Sequence, residues 1–133
     1  MSSIEKVLRT FWPASVFLIA VTALFCLPGK ALPSHNWFDI IHLDKWIHVF
    51  LFATLVVLWI FPFTFLKITI HKFYFISLGL SLVMLLYGIV MEFVQHFWIP
   101  DRSFDLFDII SDGVGCIIGL FVTITRSAKR LSK

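Results

Sequence analysis

The stretch RSFDLFDIISDGVGCIIGLFVT, residues 102–123, determines how the whole chain is interpreted. Asp105, Asp108 and Asp112 follow one another at steps of three and four, and a GxxxG pair continues the series with the same spacing. Residues at these steps lie on one face of an α-helix. Because GxxxG in an apolar helix is typical of close packing against another membrane helix, the aspartates are predicted to point into a bundle.

The composition outside this stretch indicates the same class of protein. The chain has 133 residues, of which 59% are hydrophobic and 14% charged, whereas soluble domains carry about 25% charged residues. A soluble core of this size could not cover so much apolar surface. The apolar residues form four runs long enough to cross a membrane. We therefore predict one domain over 1–133, an all-α four-transmembrane-helix bundle with helices at approximately 11–27, 46–66, 73–98 and 106–125.

The first run could instead be a signal peptide, since Lys6 and Arg9 precede it. Its 17 apolar residues exceed the usual apolar region of such peptides, and Gly29-Lys30-Ala31 is a poor small-x-small cleavage site, so we favour a transmembrane helix. Cys26 and Cys116 both fall in apolar runs without metal or redox spacing. We predict that both thiols are buried and unpaired.

The basic residues predict the orientation of the bundle. Basic residues are enriched on the cytoplasmic side of membrane proteins. Both termini and the 67–72 loop are therefore predicted to be cytoplasmic, an N-in/C-in topology. Eight basic residues fall on that side, Lys6, Arg9, Lys67, Lys72, Arg126, Lys129, Arg130 and Lys133, and three on the other, Lys30, Lys45 and Arg102.

Three helices bring ionisable residues to a similar depth on the outer side. His48 is four residues past Asp44, about 6 Å down, and Glu92 is six residues before Trp98, about 9 Å down. Asp112 is seven residues past Asp105, about 10 Å down. Ionisable side chains are costly in lipid and should face one another or a wet cavity. We predict an outward-facing polar pocket with Glu92, His48 and Asp112 as candidate catalytic residues.

Further polar residues surround this predicted pocket. Lys45 and Arg102 would hold a phosphate or another anion, and Glu92 and His48 would form a proton-transfer pair. No residue is assigned to a metal, and the sequence identifies no cofactor. The predicted ligand-binding residues are Asp44, Lys45, Gln95, Arg102, Asp105 and Asp108.

Several of these residues also have structural interpretations. Asp105 would serve as the N-cap of the fourth helix and Asp108 as an acid in its first turn, where both favour the helix. Asp44 could cap the second helix in the same way. His48 could be an interior histidine with its hydrogen bonds satisfied. These roles are compatible with a ligand site.

Glu92 and Asp112 are harder to explain structurally, because neither caps the end of its own helix and both lie well inside apolar runs. A salt bridge from either of them to Arg102 or Lys45 remains an alternative to a functional role.

Taken together, these residues resemble the VanZ-like family over nearly the whole chain. The matching motifs are Leu27-Pro28-Gly29, Asp44-Lys45-x-x-His48, Gly88-x-x-x-Glu92-x-x-Gln95 and Arg102-Ser103-Phe104-Asp105-x-x-Asp108-x-x-x-Asp112, followed by Gly115. The family commonly has asparagine at the position of Asp112, so this chain adds an acid to the site.

The resemblance implies a multi-pass protein of the bacterial inner (cytoplasmic) membrane. The family is named for a member linked to low-level resistance to glycopeptide antibiotics such as teicoplanin, which implies a role in the cell envelope. The expected partners are membrane lipids or an envelope-precursor headgroup, and no nucleic acid. The Gly115/Gly119 face leaves open a homo-oligomer.

Four functions remain open from the sequence. The leading hypothesis is a pocket that binds a lipid or envelope-precursor headgroup, with modification of that headgroup left open. Carboxylates with one histidine would also suit a metal-dependent membrane enzyme. A transporter is disfavoured because no ionisable residue continues through the inner half of the second to fourth helices. The fourth candidate is a structural or interaction subunit without catalysis.

Overall fold

The chain folds into four α-helices in the part that the structure describes. This structure is a computed structural model that describes residues 7, 9–31 and 42–131, the last four by backbone alone. No strand occurs in these ranges, so the predicted all-α class is confirmed. The helices are α1 (Trp12–Phe25), α2 (Leu43–Ile60), α3 (Ile70–Trp98) and α4 (Leu106–Leu131), with short 3-10 helices at Gly29–Ala31 and Phe61–Phe65.

Three helical segments are long and apolar enough to cross a membrane. They are Leu43–Phe65, Ile70–Trp98 and Leu106–Ser127. At ~1.5 Å per residue the shortest of them exceeds the ~30 Å hydrocarbon core. The α1 helix is apolar but has only 14 residues, or about 21 Å. By length and composition, the described residues are therefore those of a membrane protein, with three long apolar helices and one shorter one.

The predicted ends of the helices shift for local reasons. The α2 helix begins three residues before the predicted start, because the polar Asp44 and Lys45 belong to its first turn. Its α-helical geometry ends at Ile60, where Pro62 cannot donate an intrahelical hydrogen bond and a 3-10 turn follows. The α4 helix continues past residue 125 to Leu131, beyond the apolar run that defined the prediction.

The closest helix contact joins α2 and α4 through two glycines. A Cβ atom at Gly115 would lie 2.5 Å from the carbonyl oxygen of Val49, and one at Gly119 would lie 2.6 Å from that of Ala53. Only glycine permits this approach of two backbones. The Gly115/Gly119 face is thus occupied by α2 of the same chain, and a homo-oligomer could use this face only if the two helices separated.

The short α1 helix runs alongside α2 for most of its length. Phe25, at one end of α1, stacks on His48 with ring centroids 4.9 Å apart. Phe11, just before the other end, contacts Trp59 and Phe63 at 5.9 and 5.5 Å. These contacts place α1 against the bundle between the polar end of α2 and its far end.

The outer faces of the helices carry large apolar side chains without protein contacts to cover them. A water-exposed surface with so many of these side chains would favour aggregation, whereas lipid solvates it. Of the two cysteines, Cys116 is buried as predicted, but Cys26 is exposed at the end of α1, so the prediction of burial is wrong for Cys26. Among the most exposed side chains are Trp46, Phe50, Phe75, Phe107 and Phe121.

Candidate functional site

Lys45 lies at the centre of a carboxylate cluster formed by the first turns of α2 and α4. Its Nζ atom donates hydrogen bonds to Asp44 at 2.8 Å, to Asp105 at 2.6 Å and to Asp108 at 2.6 Å. The Lys45 side chain is 19% exposed. Because three carboxylates already surround this ammonium group, Lys45 is poorly placed to bind an anionic ligand, which changes the role expected from the sequence.

The same three carboxylates have the spacing of a cation site. Oxygen atoms of Asp44, Asp105 and Asp108 all lie within 4.8 Å of one another. However, Lys45 Nζ hydrogen-bonds to all three residues, so the cation that they hold is the ammonium group of the chain itself. This geometry gives no support to the metal-dependent alternative.

His48 and Asp112 form a buried pair one turn deeper. His48 Nδ1 lies 2.8 Å from Asp112 Oδ1, and the two residues are 7% and 2% exposed. When Asp112 is ionised and the imidazole is neutral, Nδ1–H donates to Asp112 and the lone pair of Nε2 is available. Nε2 lies 3.9 Å from Asp108 Oδ2, too far for a hydrogen bond, and has no hydrogen-bond partner among the described residues. The histidine therefore has one nitrogen fixed and one nitrogen free.

Phe25 and Gly88 flank the His48–Asp112 pair. Phe25 of α1 stacks on the imidazole ring with an interplanar angle of 16°. Gly88 of α3 leaves the space that Asp112 occupies, since a Cβ at Gly88 would lie 2.5 Å from Asp112 Oδ2. Gly88 has no role predicted from the sequence, although its position one turn before Glu92 is a signal for this contact.

Glu92 and Gln95 of α3 bind the backbone of other elements. Glu92 Oε1 accepts a hydrogen bond of 2.6 Å from the backbone N–H of Asp105, immediately before α4. Gln95 Nε2 donates a 3.0 Å hydrogen bond to the carbonyl oxygen of Phe25, the last residue of α1. Both side chains are buried. They join α3 to the ends of α4 and α1, and the structure shows no hydrogen bond between Glu92 and His48.

Asp105 is the N-cap of α4, as one interpretation of the sequence expected. Its Oδ1 atom accepts a 2.8 Å hydrogen bond from the backbone N–H of Phe107, while Oδ2 binds Lys45. The hydrogen bond from the Lys45 ammonium lowers the pKa of the Asp105 carboxyl below its ordinary value. Asp108 follows in the first turn, and Asp44 is likewise in the first turn of α2 rather than its cap.

Arg102 lies in the α3–α4 loop and contacts the segment that follows α1. Its Nε atom donates to the carbonyl oxygen of Leu27 at 3.5 Å, and the backbone N–H of Gly29 donates to Pro100 at 3.1 Å. A side chain at Gly29 would collide with the backbone of Asp101. Arg102 and Lys45 therefore contact different partners and do not form the anion clamp expected from the sequence.

Of the nine predicted site residues, eight interact through this network at one end of the bundle, and Arg102 binds the adjacent loop. Neither Glu92 nor Asp112 pairs with Arg102 or Lys45, so the salt bridges considered from the sequence are wrong. Asp112 pairs with His48 and Glu92 with a backbone amide.

Comparison with known proteins identifies a relative in a fungus. The chain is 35% identical to the Schizosaccharomyces pombe protein C11E3.10, described only as an uncharacterized protein, over 131 residues. The match covers 97% of this chain and 69% of the relative. No protein-family model and no solved structure matches the chain. The chain belongs to the same family as S. pombe C11E3.10.

Proposed function

We propose that this chain is a four-helix membrane protein whose cluster around His48 binds a lipid headgroup that carries an ammonium or hydroxyl group. The free Nε2 atom of the buried His48–Asp112 pair is the observation that carries this proposal. A histidine whose other nitrogen is fixed by a carboxylate is a common arrangement for accepting a proton. Lipid headgroups lie at the membrane surface, next to the end of the bundle that carries this pair.

The charge around His48 favours this class of headgroup over an anionic one. The ionisable groups of the network are five carboxylates, one ammonium and one imidazole. The only lysine in it is already bound to three of the carboxylates. A phosphate placed at Nε2 would face Asp108, whereas an ammonium or hydroxyl group can donate to it. The proposal thus keeps the headgroup expected from the sequence but reverses the charge of the part that is recognised.

His48 would also be the residue that makes chemistry possible at this site. A hydroxyl group held at Nε2 would give its proton to the imidazole, and Asp112 would stabilise the resulting positive charge through Nδ1. Glu92 would position the start of α4 through the Asp105 amide rather than exchange protons with His48.

The orientation in the membrane is part of the proposal. The α1 contacts with His48 at one end and with Trp59 and Phe63 at the other support a fourth crossing helix. The excess of basic residues at the opposite end supports cytoplasmic termini. The ordered motifs support membership of the VanZ-like family. Because the relative is fungal, we extend the proposal to a cell membrane and not to a bacterial one in particular.

The test follows the His48 side chain during titration with soluble lipids. Purified protein labelled with ¹⁵N at histidine is titrated in a neutral detergent with dihexanoyl phosphatidylethanolamine and with dihexanoyl phosphatidylmethanol, an anionic lipid whose headgroup has neither an ammonium nor a hydroxyl group. We expect the ethanolamine lipid to shift the His48 Nε2 resonance and the methanol lipid to shift it less. His48→Gln should abolish the saturable binding seen with the ethanolamine lipid.

The control is His71→Gln, an exposed histidine in the first turn of α3 at the opposite end. This variant should bind like the natural protein. Equal or stronger perturbation by the phosphatidylmethanol would contradict the charge argument, and an unperturbed His48 with both lipids would contradict a headgroup site.

A further inference from the structure

A groove between α1 and α2 lies at the end of the bundle opposite the carboxylates. It has a volume of about 400 Å³ and opens onto the surface of the protein. Val7, Trp12, Val16 and Ala20 line one side and Leu58 of α2 lines the other. All of these side chains are apolar, and the groove runs along α1 for more than two turns. Its shape and lining suit an extended hydrocarbon chain.

Positive charge stands at one end of this groove. Arg9 lies in the turn in which Thr10 N–H donates to Val7, between two residues that line the groove, Val7 and Trp12. Its guanidinium carbon lies 4.6 Å from the ring centroid of Phe65. The Arg9 side chain is exposed, and no carboxylate pairs with it within the described ranges.

The rest of this end is also basic. Lys67, Lys72 and Arg126 are exposed there, and the acids of the described segments all lie towards the other end. Basic residues at a membrane surface attract anionic lipids, by about 1 kcal/mol for each lysine or arginine near the surface. Arg9 differs from its neighbours because it combines this charge with an adjacent apolar groove.

We propose that the α1–α2 groove binds an anionic phospholipid, with one acyl chain along Val16 and Ala20 and the phosphate at Arg9. The apolar lining accounts for the acyl chain, and the Arg9 guanidinium, with which no carboxylate of the described residues pairs, accounts for the anionic headgroup. An arginine forms paired hydrogen bonds to phosphate oxygens, which a diffuse layer of lysines does not supply. This site is separate from the cluster around His48 and selects the opposite headgroup charge.

Trp12 supplies a direct measurement because it lines the groove and is 70% exposed. The full chain, with its other four tryptophans replaced by phenylalanine, is placed in phosphatidylcholine vesicles. Phosphatidylglycerol or phosphatidylcholine with brominated acyl chains is then added, and quenching of Trp12 fluorescence is recorded. We expect half-maximal quenching at an about fivefold lower fraction of the brominated anionic lipid, which corresponds to ~1 kcal/mol for one basic residue.

Two variants and a control locate the site. Arg9→Gln should remove most of the fivefold preference, and Arg126→Gln, which removes an exposed charge on α4, should leave it in place. Ala20→Phe, at an exposed position of α1, should fill the groove and reduce quenching by both lipids. Native mass spectrometry of the natural sequence with the same substitutions gives the lipid ratio without the tryptophan replacements.

Equal quenching by the two lipids in the starting protein would overturn the proposal. It would equally be overturned if Arg126→Gln reduced the preference as much as Arg9→Gln, because the charge would then act without a defined site. Undiminished quenching of Ala20→Phe would show that the acyl chain does not occupy the groove.

Discussion

Lys45 binds carboxylates from two helices, and its removal would leave those carboxylates without a counter-charge. We expect Lys45→Met to lower the free energy of unfolding by about 1–3 kcal/mol, less than for a fully buried pair because Asp44 and Asp105 remain partly solvated. Thermal unfolding in detergent measures the change. Lys67→Met, an exposed lysine outside the cluster, should change stability by less than about 0.5 kcal/mol. Similar effects of the two substitutions would contradict the role of Lys45.

Asp105 predicts how stability depends on acid. Because its pKa is lowered in the folded chain, its contribution to stability is complete above the ordinary value of 3.8 and is lost as the pH falls through the lower folded value. Asp105→Asn keeps an oxygen that can accept the Phe107 N–H but loses the charge. We therefore expect a smaller fall in melting temperature between pH 6 and pH 3 in this variant than in the natural protein.

Asp101→Asn provides the matched control for this measurement. Asp101 lies in the loop before α4, and its pair with Lys30 at 3.4 Å is largely exposed. This variant should keep the acid dependence of the natural protein. An unchanged acid dependence in Asp105→Asn would show that the Lys45–Asp105 contact does not couple folding to protonation.

At the scale of single residues, the sequence predicted the members of the site better than their partners. The spacing of Asp105, Asp108 and Asp112 placed them on one face, and depth estimates brought His48 to the level of Asp112. Partners could not be derived, because the rotation of each helix about its axis determines which groups meet. The hydrogen bond from the Asp105 backbone to Glu92 depends on the path of a loop that has no periodicity.

At the scale of the elements, the α2–α4 contact gives a sharp prediction. Gly115→Ala would place a methyl group against the Val49 carbonyl oxygen, and we expect a loss of about 1–3 kcal/mol in unfolding free energy, as for other overpacked positions. Gly79→Ala is the control, because no other group lies within 4 Å of a Cβ there. Alanine at this α3 position should stabilise the helix by roughly 0.5–1 kcal/mol.

Equal effects of these two alanines on the melting temperature would contradict the backbone contact.

The contact also explains what the sequence could predict about the elements. Hydropathy found all four helices, since each contains a long apolar run, and GxxxG identified the face that packs. The GxxxG motif did not identify α2 as the partner helix. Hydropathy missed the first turn of α2, because Asp44 and Lys45 are charged and do not resemble a membrane segment.

At the scale of the whole molecule, the proposed topology can be measured by labelling. In a background with Cys26 and Cys116 replaced by serine, Ser103→Cys and Lys67→Cys introduce thiols at exposed positions in loops at opposite ends. We expect a membrane-impermeant maleimide to label Ser103→Cys in intact cells and Lys67→Cys only after permeabilisation. Labelling of both from the same side would contradict a single membrane span between these two loops, and the reverse pattern would contradict the proposed orientation.

The two glycines of α4 have a consequence beyond packing. The contacts of Gly115 and Gly119 with the backbone at Val49 and Ala53 fix how far α4 can slide along α2. A slip of one helical turn would move the facing residues by about 5.4 Å and would carry Asp112 away from His48. Two residues that carry no functional group therefore set the register in which Asp112 meets His48.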